Sequence, residues 1–409
     1  MKRFFLILKL FSRSKFIFKN PEKRDLVIFD DESLSDLQYL IHHYNFFLLQ
    51  VKINNINKIY FSLKIFKYFL KHYNGNIFNA YLISLLEIIN PKVVLTNIDN
   101  SSRFFDVAKT LDKKINFMAI QNASRWDFDE YKHRYKKNMI KSDLSKNFYI
   151  PNFFCFGQFE IDHYKKYEIK VKNFFKVGSL RLANFFHYIS KNKIQIKKPN
   201  YDICLISCPA MTYDDVYGEK DIATGYVGTI KFTIQFCMKH NMKLIFAMKR
   251  DKKLNPEGYK KEFNFYKKYF TKDELNYLIS NSLVKEGDSS FGYSSYMAMI
   301  QSEVTVCTWS TMLRENLAIG GKILSCNLLP TNIWDFPIQG ICSIKNCTFQ
   351  KFEKRLLKIY SMSKKNYFSK LNKDKCYAVE YDKKISTIDI LKRKIDLFLT
   401  NNHQKRKYH

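Results

Sequence analysis

Hydroxyl side chains stand at the starts of two predicted helices in the second half of the chain. Ser294 and Ser295 open the first helix, and Ser310 and Thr311 open the second directly after the short apolar strand 304–307. A helix that follows a strand of a parallel α/β sheet leaves unpaired backbone N–H groups at the carboxyl edge of the sheet. Such groups bind phosphate or carboxylate together with Ser or Thr hydroxyls. The alternative is that the four hydroxyls are ordinary helix caps.

A second group of polar residues follows two strands in the first half of the chain. Asp99 comes just after the apolar strand 92–96, and further polar residues come after the strand 115–120. Open α/β sheets bind ligands at the carboxyl ends of their strands, so the group is predicted to line one cleft. Alternatively, Asp99 is the N-cap of the following helix, and the residues after the second strand form a solvated turn. The group consists of Asn97, Asp99, Asn100, Gln121, Asn122 and Arg125.

The strands that would position these residues alternate with helices in two series, which indicates two parallel, doubly wound sheets. The first series has predicted strands at 25–30, 46–51, 92–96, 115–120, 153–156 and 174–177, and helices at 60–72, 77–89 and 103–111. The second series has predicted strands at 203–207, 243–248, near 283, 304–307 and 322–325, and helices at 228–240 and 257–270.

A polar, lysine-rich segment at 191–200 separates the two series, and we place the domain boundary there. The predicted fold class is α/β, with two Rossmann-like domains facing a cleft and C-terminal helices. The predicted divisions are a basic amphipathic segment (1–24), a first Rossmann-like domain (25–190), a second one (201–350), and C-terminal helices with a basic tail (351–409).

The charge of the chain favours anionic surfaces or substrates as partners. The formal net charge is +31, and only 12 of the 69 basic residues are Arg. Proteins that read nucleic acids more often use Arg for bidentate contacts, so a specific nucleic-acid partner is not predicted. The nine cysteines show no CxxC pair and no zinc spacing. They therefore predict a reducing cytoplasm and no metal site.

The N-terminal segment is basic and aromatic. Its apolar run 4–8 is interrupted by Lys9, so it is too short and too charged for a signal peptide or a membrane span. We predict that it lies on the inner leaflet of the membrane, which would make the protein cytoplasmic and peripherally membrane-bound. The alternative is a first helix packed on its own domain.

Four segments carry motifs of a known family: KVVLTNIDNSSRFFDVAK (92–109), FMAIQNASRWDFDE (117–130), FFCFGQFEIDHYKKYEIKVKNFFKVGSLRLANF (153–185) and VTVCTWSTMLRENLAIGGKILSCN (304–327). They resemble motifs of bacterial surface-carbohydrate biosynthesis proteins, a family of GT-B type glycosyltransferases related to capsule, lipopolysaccharide and teichoic-acid transferases. Two positions depart from the pattern, since Ala123 replaces an expected Gly and Asn316 an expected Ala, and the first leaves the loop geometry open. No DxD sequence ends a strand, and the resemblance implies metal-independent transfer without a cofactor.

The resemblance implies a donor side in the second half. Glu315 would contact the ribose or sugar hydroxyls of a nucleotide donor, although an acidic residue in a first turn also complements the helix dipole. Ser310 and Thr311 would receive a donor phosphate, and the earlier pair of serines would form a second phosphate cap. Arg250 would neutralise charge on the leaving nucleotide.

The resemblance implies an acceptor side in the first half. Asp99 would act as a general base on an acceptor hydroxyl or attack the anomeric carbon itself, and Asp127 is a second candidate for the base. The other polar residues after the two strands would line the acceptor side. Arg181, near the predicted domain boundary, would reach the acceptor or a phosphate.

The sequence thus predicts a glycosyltransferase that moves a sugar from a nucleotide-sugar donor to a growing surface glycan or lipid-linked acceptor, in O-antigen, capsule or lipo-oligosaccharide biosynthesis. One alternative is a transferase of the teichoic-acid type that uses CDP-linked glycerol or ribitol phosphate. An alternative of another class is a non-catalytic basic protein that binds nucleic acid or anionic glycan, which would present a row of stacking aromatics.

Overall fold

The structure is a computed structural model that describes residues 10, 12–32, 34–125, 148–196, 199–208, 223–250, 252, 255–281, 293–329, 332 and 334–405. Within these ranges the chain forms two parallel sheets with helices packed on them, and a separate two-stranded sheet. The predicted fold class, α/β with two Rossmann-like domains and C-terminal helices, is confirmed. No helix in the described ranges is both long enough and apolar enough to cross a bilayer.

The first half is built on a parallel sheet whose strands follow the order β3-β2-β5-β6-β7-β8, while β1 pairs with β4 in the separate small sheet. All residues of β2 and β5 are buried, as expected for parallel strands covered on both faces. The strands are β1 (Lys15–Ile17), β2 (Leu26–Phe29), β3 (Phe46–Leu49), β4 (Lys58–Tyr60), β5 (Val93–Thr96), β6 (Asn116–Ile120), β7 (Tyr149–Cys155) and β8 (Lys170–Lys176).

Several helices of the first half begin at polar N-cap residues. Ser62 accepts a hydrogen bond from the N–H of Ile65, and Ser101 accepts one from the N–H of Phe104. Ser101 therefore caps the helix after β5, and Asp99 is not that cap. The helices are α1 (Leu34–Ile41), α2 (Leu63–His72), α3 (Ile77–Ile89), α4 (Ser102–Leu111), α5 (Gln158–Lys166) and α6 (Leu180–Lys191).

The second half has a parallel sheet in the strand order β10-β9-β11-β12-β13. Its strands are β9 (Tyr201–Ile206), β10 (Leu244–Ala247), β11 (Ser302–Cys307), β12 (Lys322–Asn327) and β13 (Ser343–Lys345). Its helices are α7 (Gly228–Lys239), which follows a π-helical turn, α8 (Pro256–Tyr269), α9 (Lys272–Ser280), α10 (Ser294–Ile300) and α11 (Thr311–Ala318).

The C-terminal helices divide between the two halves. They are α12 (Phe349–Ser361), α13 (Lys364–Phe368) and α14 (Thr387–Lys405). Helix α12 packs on the second core, whereas Ile388, Leu391 and Ile395 of α14 lie in the same buried cluster as β2 and β5 of the first half. The chain thus returns to the first half after completing the second.

The returning chain passes very close to Gly178. This glycine has φ +82, and a Cβ placed on it would lie 2.3 Å from the carbonyl oxygen of Glu380. Both the positive φ and the close backbone approach require glycine at this position. The hydroxyl of Thr387 then donates to the carbonyl of Val177 at 2.6 Å, which fixes the start of α14.

Three details differ from the sequence expectations. Residues 15–17 form a strand, because they find a parallel partner in β4, and are not part of an amphipathic segment. Helix α2 begins at Leu63 rather than at residue 60, since β4 and the Ser62 cap precede it. Helices α5, α6 and α9 and strand β13 are not among the predicted elements. Residues 1–9 and the predicted strand near 283 lie outside the described residues.

Candidate active-site cleft

A cavity of about 370 Å³ lies between the two halves, within the range of roughly 300–1,000 Å³ that small-molecule sites occupy. The first half contributes Arg125, which follows β6, and His163 and Lys166 of α5. The second half contributes Trp309 and Arg314, which follow β11. The cavity therefore lies at the carboxyl edge of both sheets, where open α/β sheets bind ligands.

Asp99 holds Arg125 at the wall of the cavity. The Nε of Arg125 donates to Oδ2 of Asp99 at 2.9 Å, and its Nη2 donates to Oδ1 of Asp99 and to Oδ1 of Asn122. The N–H of Asn122 also donates to Oδ1 of Asp99 at 3.2 Å. Burial lowers the pKa of Arg125, but the Asp99 carboxylate and, after it, the Tyr164 hydroxyl together more than offset this, so the pKa lies above its ordinary value. Arg125 is therefore a fixed cation.

The catalytic role predicted for Asp99 does not fit its place. Its side chain is fully buried, and both oxygens accept hydrogen bonds from neighbouring residues. Asp99 thus orients Arg125 and offers no open oxygen to a substrate. The second candidate base, Asp127, lies outside the described residues.

Arg314 forms a second buried ion pair, this time across the two halves. Its Nη1 donates to Oε1 of Glu160 at 2.8 Å, and its guanidinium lies 4.7 Å from the ring centroid of Phe159. The side chains of Arg314 and Glu160 are 3% and 0% exposed. Gln121 supports the pair by donating to the same Oε1 at 3.0 Å.

Burial disfavours the charged forms of both members of this pair. It raises the pKa of Glu160, and the contacts with Arg314 and Gln121 offset only part of that rise. Burial also lowers the pKa of Arg314. The Glu160 carboxylate raises it in part and the nearby Arg125 lowers it further, so the pKa of Arg314 lies below its ordinary value. The two guanidinium groups therefore repel each other at the cavity, and a bound anion would relieve that repulsion.

The hydroxyls at the start of α11 are already engaged. Ser310 caps the helix by accepting from the N–H of Met312 at 3.2 Å. Thr311 accepts from the N–H of Ser124 at 3.0 Å and donates to the Ser124 hydroxyl at 3.1 Å. These contacts join the second half to the first. The predicted phosphate contact of Ser310 and Thr311 would have to replace them, and it stays a prediction.

Glu315 faces away from the cavity. Its side chain accepts from the hydroxyls of Ser179 and Tyr296, the latter at 2.9 Å to Oε2. The residue is only 1% exposed, and burial raises its pKa above the ordinary value of 4.5. The predicted contact with a donor ribose does not fit this arrangement, because the carboxylate instead ties α11 to the N-cap of α6.

The burial of Glu315 predicts a pH effect on stability. In the unfolded chain Glu315 releases its proton near 4.5, whereas in the folded protein it keeps the proton to higher pH. The wild type should therefore lose stability as pH rises above that value. The Glu315→Gln variant lacks this loss, so the stability difference should shift in favour of the variant with rising pH. Urea unfolding at a series of pH values measures it.

The control for this prediction is Glu257→Gln, since Glu257 is exposed in the first turn of α8. Its unfolding curve should shift with pH in parallel with the wild type. Parallel curves for Glu315→Gln as well would contradict the assignment of Glu315 as a buried group that keeps its proton.

Other predicted donor residues lie outside the cavity wall. The N–H of Arg250 donates to Oε2 of the buried Glu262 at 3.0 Å, which fixes the loop after β10. Ser294 and Ser295 form the start of α10, but the N-cap is Tyr293 and no side chain caps the helix. The alternative, in which these serines are ordinary helix caps, is therefore wrong, and their predicted phosphate contact stays a prediction.

The remaining residues predicted for the acceptor side lie in different parts of the structure. Arg181 forms a half-exposed ion pair with Asp36 at 3.1 Å. Asn97 is buried and donates to the same carboxylate at 3.4 Å, whereas Asn100 is exposed. Gln121 accepts from the N–H of Phe156 at 2.8 Å and joins the ends of β6 and β7. Among the predicted site residues that lie within the described ranges, Arg125 is the one that lines the cavity.

Sequence reasoning missed the contribution of helix α5. Phe159, Asp162, His163 and Lys166 all line the cavity, and their spacing places them on one helical face. That spacing lies within the segment 153–185, and it could have indicated a helix that presents these side chains together. Arg314 was also missed, although it stands next to Glu315 in the last motif.

A metal site was not predicted. Within the described ranges, no three His, Cys, Asp or Glu side chains are grouped as metal ligands would be.

Comparisons with known proteins give the fold. No protein-family model and no curated protein sequence matches the chain. The chain is similar to the solved structure of UDP-GlcNAc 2-epimerase from Neisseria meningitidis bound to UDP-GlcNAc, with 13% identity over 92% of this chain and 99% of that one, and a TM-score of 0.50. It is also similar to a variant of the wall teichoic acid polymerase TagF, with 8% identity over 95% and 91% of the chains and a TM-score of 0.50. These similarities show the GT-B fold, which confirms the resemblance at the level of the fold.

Proposed function

We propose that this GT-B protein is a glycosyltransferase that moves a sugar from a nucleotide-sugar donor to a growing surface glycan or lipid-linked acceptor. The main support for this proposal is that Arg125 and Arg314 come from opposite halves, line one cavity, and are each held by a buried carboxylate. We place the reaction at the cytoplasmic side of the inner membrane, in surface-polysaccharide synthesis, and without a metal ion.

The paired arginines suit the charge that develops when a nucleotide leaves. Guanidinium groups bind phosphate oxygens bidentately and keep their charge at all physiological pH values. Because Asp99 and Glu160 already hold the two groups in place, little reorganisation is needed at the moment of transfer. Fixed charges of this kind supply a large part of the rate acceleration in many enzymes.

Aromatic side chains would complete the donor site. Phe159, Trp309, Phe336 and Tyr377 line the same cavity as the arginines. Aromatic faces pack against the apolar faces of bases and sugars and exclude water from the charged groups. Lys166 adds a further cation at the cavity wall. This composition supports a ligand that has both an anionic and a ring-shaped part.

In this proposal Asp99 is a positioning residue, and Asp162 takes its place as the proton acceptor. Asp162 is an exposed carboxylate that lines the cavity. Each of its oxygens accepts one hydrogen bond, from the Tyr377 hydroxyl at 2.9 Å and from Nε2 of Gln158 at 2.8 Å. Unlike the buried Asp99, it is exposed, so its remaining lone pairs are open to a bound acceptor. Carboxylates in such positions act as general bases.

The donor can be identified by thermal shift with UDP-, GDP-, CDP- and CMP-linked sugars and with CDP-glycerol. A ligand at a hundredfold excess over its Kd stabilises the folded protein by about 2.7 kcal/mol, so one nucleotide class should raise the melting temperature. Asp162→Asn should keep this shift and lose turnover. Stabilisation by CDP-glycerol alone would instead favour the teichoic-acid alternative.

The same experiment tests the reaction class. The fold is shared with an epimerase, so the stabilising donor is also incubated with the protein alone and followed by NMR. Conversion of the donor sugar without an acceptor would contradict the transferase proposal, as would the absence of any shift across the panel.

A further inference from the structure

An exposed apolar stripe runs along helix α2. Leu63 is 90% exposed, and Phe66 and Leu70 are each 59% exposed. The spacing of three and then four residues places the three side chains within about 60° of one another around the helix. Isolated apolar residues are common on protein surfaces, but a continuous stripe of large ones usually marks an interaction site.

A row of lysines lies beside this stripe. Lys64, Lys67 and Lys71 are exposed and lie about 40–100° further round the helix than Leu63. The opposite side of the helix faces the protein, where Ile65 is buried. The outward face of α2 is therefore half apolar and half cationic.

Neighbouring elements extend the apolar stripe. Phe61, which directly precedes the helix cap, contacts Phe18 with ring centroids 6.2 Å apart, and Phe18 is 82% exposed. Tyr73 and Ile77, just beyond the end of α2, are also more than half exposed. The small sheet of β1 and β4 and the start of α3 thus enlarge one surface patch around α2.

The chain segment that carries α2 has basic residues and no acidic ones, although Glu87 of α3 lies 3.4 Å from His72 at the C-terminal end of the helix. No Asp or Glu occurs between Asp36 and Glu87, and none occurs before Glu22. The sequence between Asp36 and Glu87 carries five lysines, including the three beside the stripe. A partner for this patch must therefore combine an apolar interior with negative charge at its surface.

We propose that the exposed stripe and the lysine row of α2 form a docking surface for an anionic lipid bilayer. Apolar side chains enter the boundary between headgroups and acyl chains, while lysines at its edge contact anionic headgroups. This goes beyond the proposed reaction, because it requires neither a donor nor turnover. It also differs from the predicted anchor, the segment 1–24, because the contact is placed on α2, although Phe18 of that segment borders the same patch.

The test uses the full chain with vesicles of phosphatidylcholine alone and of phosphatidylcholine mixed with phosphatidylglycerol. The wild type should float with the anionic vesicles, and less so as salt is added. The stripe variant Leu63→Gln, Phe66→Gln, Leu70→Gln and the lysine variant Lys64→Glu, Lys67→Glu, Lys71→Glu should each bind at least about tenfold more weakly. Because all six side chains are exposed, both variants should unfold at the wild-type denaturant concentration.

A matched control is present on helix α12. Lys351, Lys354 and Lys358 are exposed and have the same spacing as the lysine row. Their replacement by Glu changes the net charge of the protein equally but leaves α2 intact, so vesicle binding should stay within about twofold of wild type.

Three results would overturn the proposal. The first is equal loss of vesicle binding in the α2 and α12 lysine variants, which would mean a response to net charge alone. The second is full binding by the stripe variant combined with loss of binding on deletion of residues 1–9. The third is a dimer in sedimentation velocity that the stripe variant abolishes without any change in vesicle binding, which would make the stripe a contact between copies of this chain.

Discussion

Replacement of Arg125 by glutamine is expected to lower kcat by a factor of about 10²–10³. Glutamine keeps hydrogen-bonding capacity at the cavity wall but removes the charge that Asp99 holds in place. Loss of a fixed group that stabilises the leaving charge lowers the rate of the chemical step more than it weakens binding of the donor. Initial rates with the donor identified by thermal shift measure the effect.

Two further variants make this result specific. Arg181→Gln removes an arginine that also pairs with an aspartate, but at a half-exposed surface position, and its rate should stay near that of the wild type. Arg125→Gln alone leaves Asp99 buried without a counter-ion, so its melting temperature should fall as well. The double variant with Asp99→Asn should regain stability but not rate. Recovery of the rate in the double variant would show that the Arg125 charge is not required.

Replacement of Arg314 by methionine is expected to lower the free energy of unfolding by about 3–5 kcal/mol. The variant leaves the Glu160 carboxylate fully buried without its cationic partner. Gln121 still donates to Oε1 of Glu160, but Oε2 has no hydrogen-bond partner among the described residues, and a neutral amide does not replace the lost cation. Urea unfolding at neutral pH measures the loss.

The pH dependence and a double variant show whether the lost stability comes from the unpaired Glu160 charge or from poorer packing. The deficit should shrink as pH falls, because a protonated Glu160 needs no counter-ion, and it should be largely recovered when Glu160→Met is added to Arg314→Met. A loss below about 1 kcal/mol, which is typical of exposed ion pairs, would mean that the pair is solvated and does not close the two halves together.

The sheets could be predicted because their strands are buried on both faces. Runs such as VVLT at β5 are apolar without interruption in the sequence and fully buried in the structure, and parallel strands under helices have this pattern. The short β1 and β4 could not be predicted in the same way. Each has three residues, and they pair only because the chain brings them together from forty-three positions apart.

The grouping of Asp99, Asn122 and Arg125 could be inferred because they follow neighbouring parallel strands. The ion pair between Arg314 and Glu160 could not, since 154 positions separate its members and the sequence carries no signal of which residue meets which across a cleft. For the same reason Glu315 was predicted to face a ligand. Its contact with Ser179 depends on how the two halves close together.

The return of α14 to the first half has a consequence for the order of events during synthesis. Ile388, Leu391 and Ile395 cover apolar residues of the first sheet, including Leu26 and Val93. During translation the N-terminal part of a protein usually folds first. Here α1 and the start of α6 cover only part of one apolar face of that sheet, and the rest stays uncovered until residues some three hundred positions after Leu26 and Val93 have been added. We therefore expect the nascent chain to expose apolar surface for longer than a protein whose domains are each contiguous in sequence.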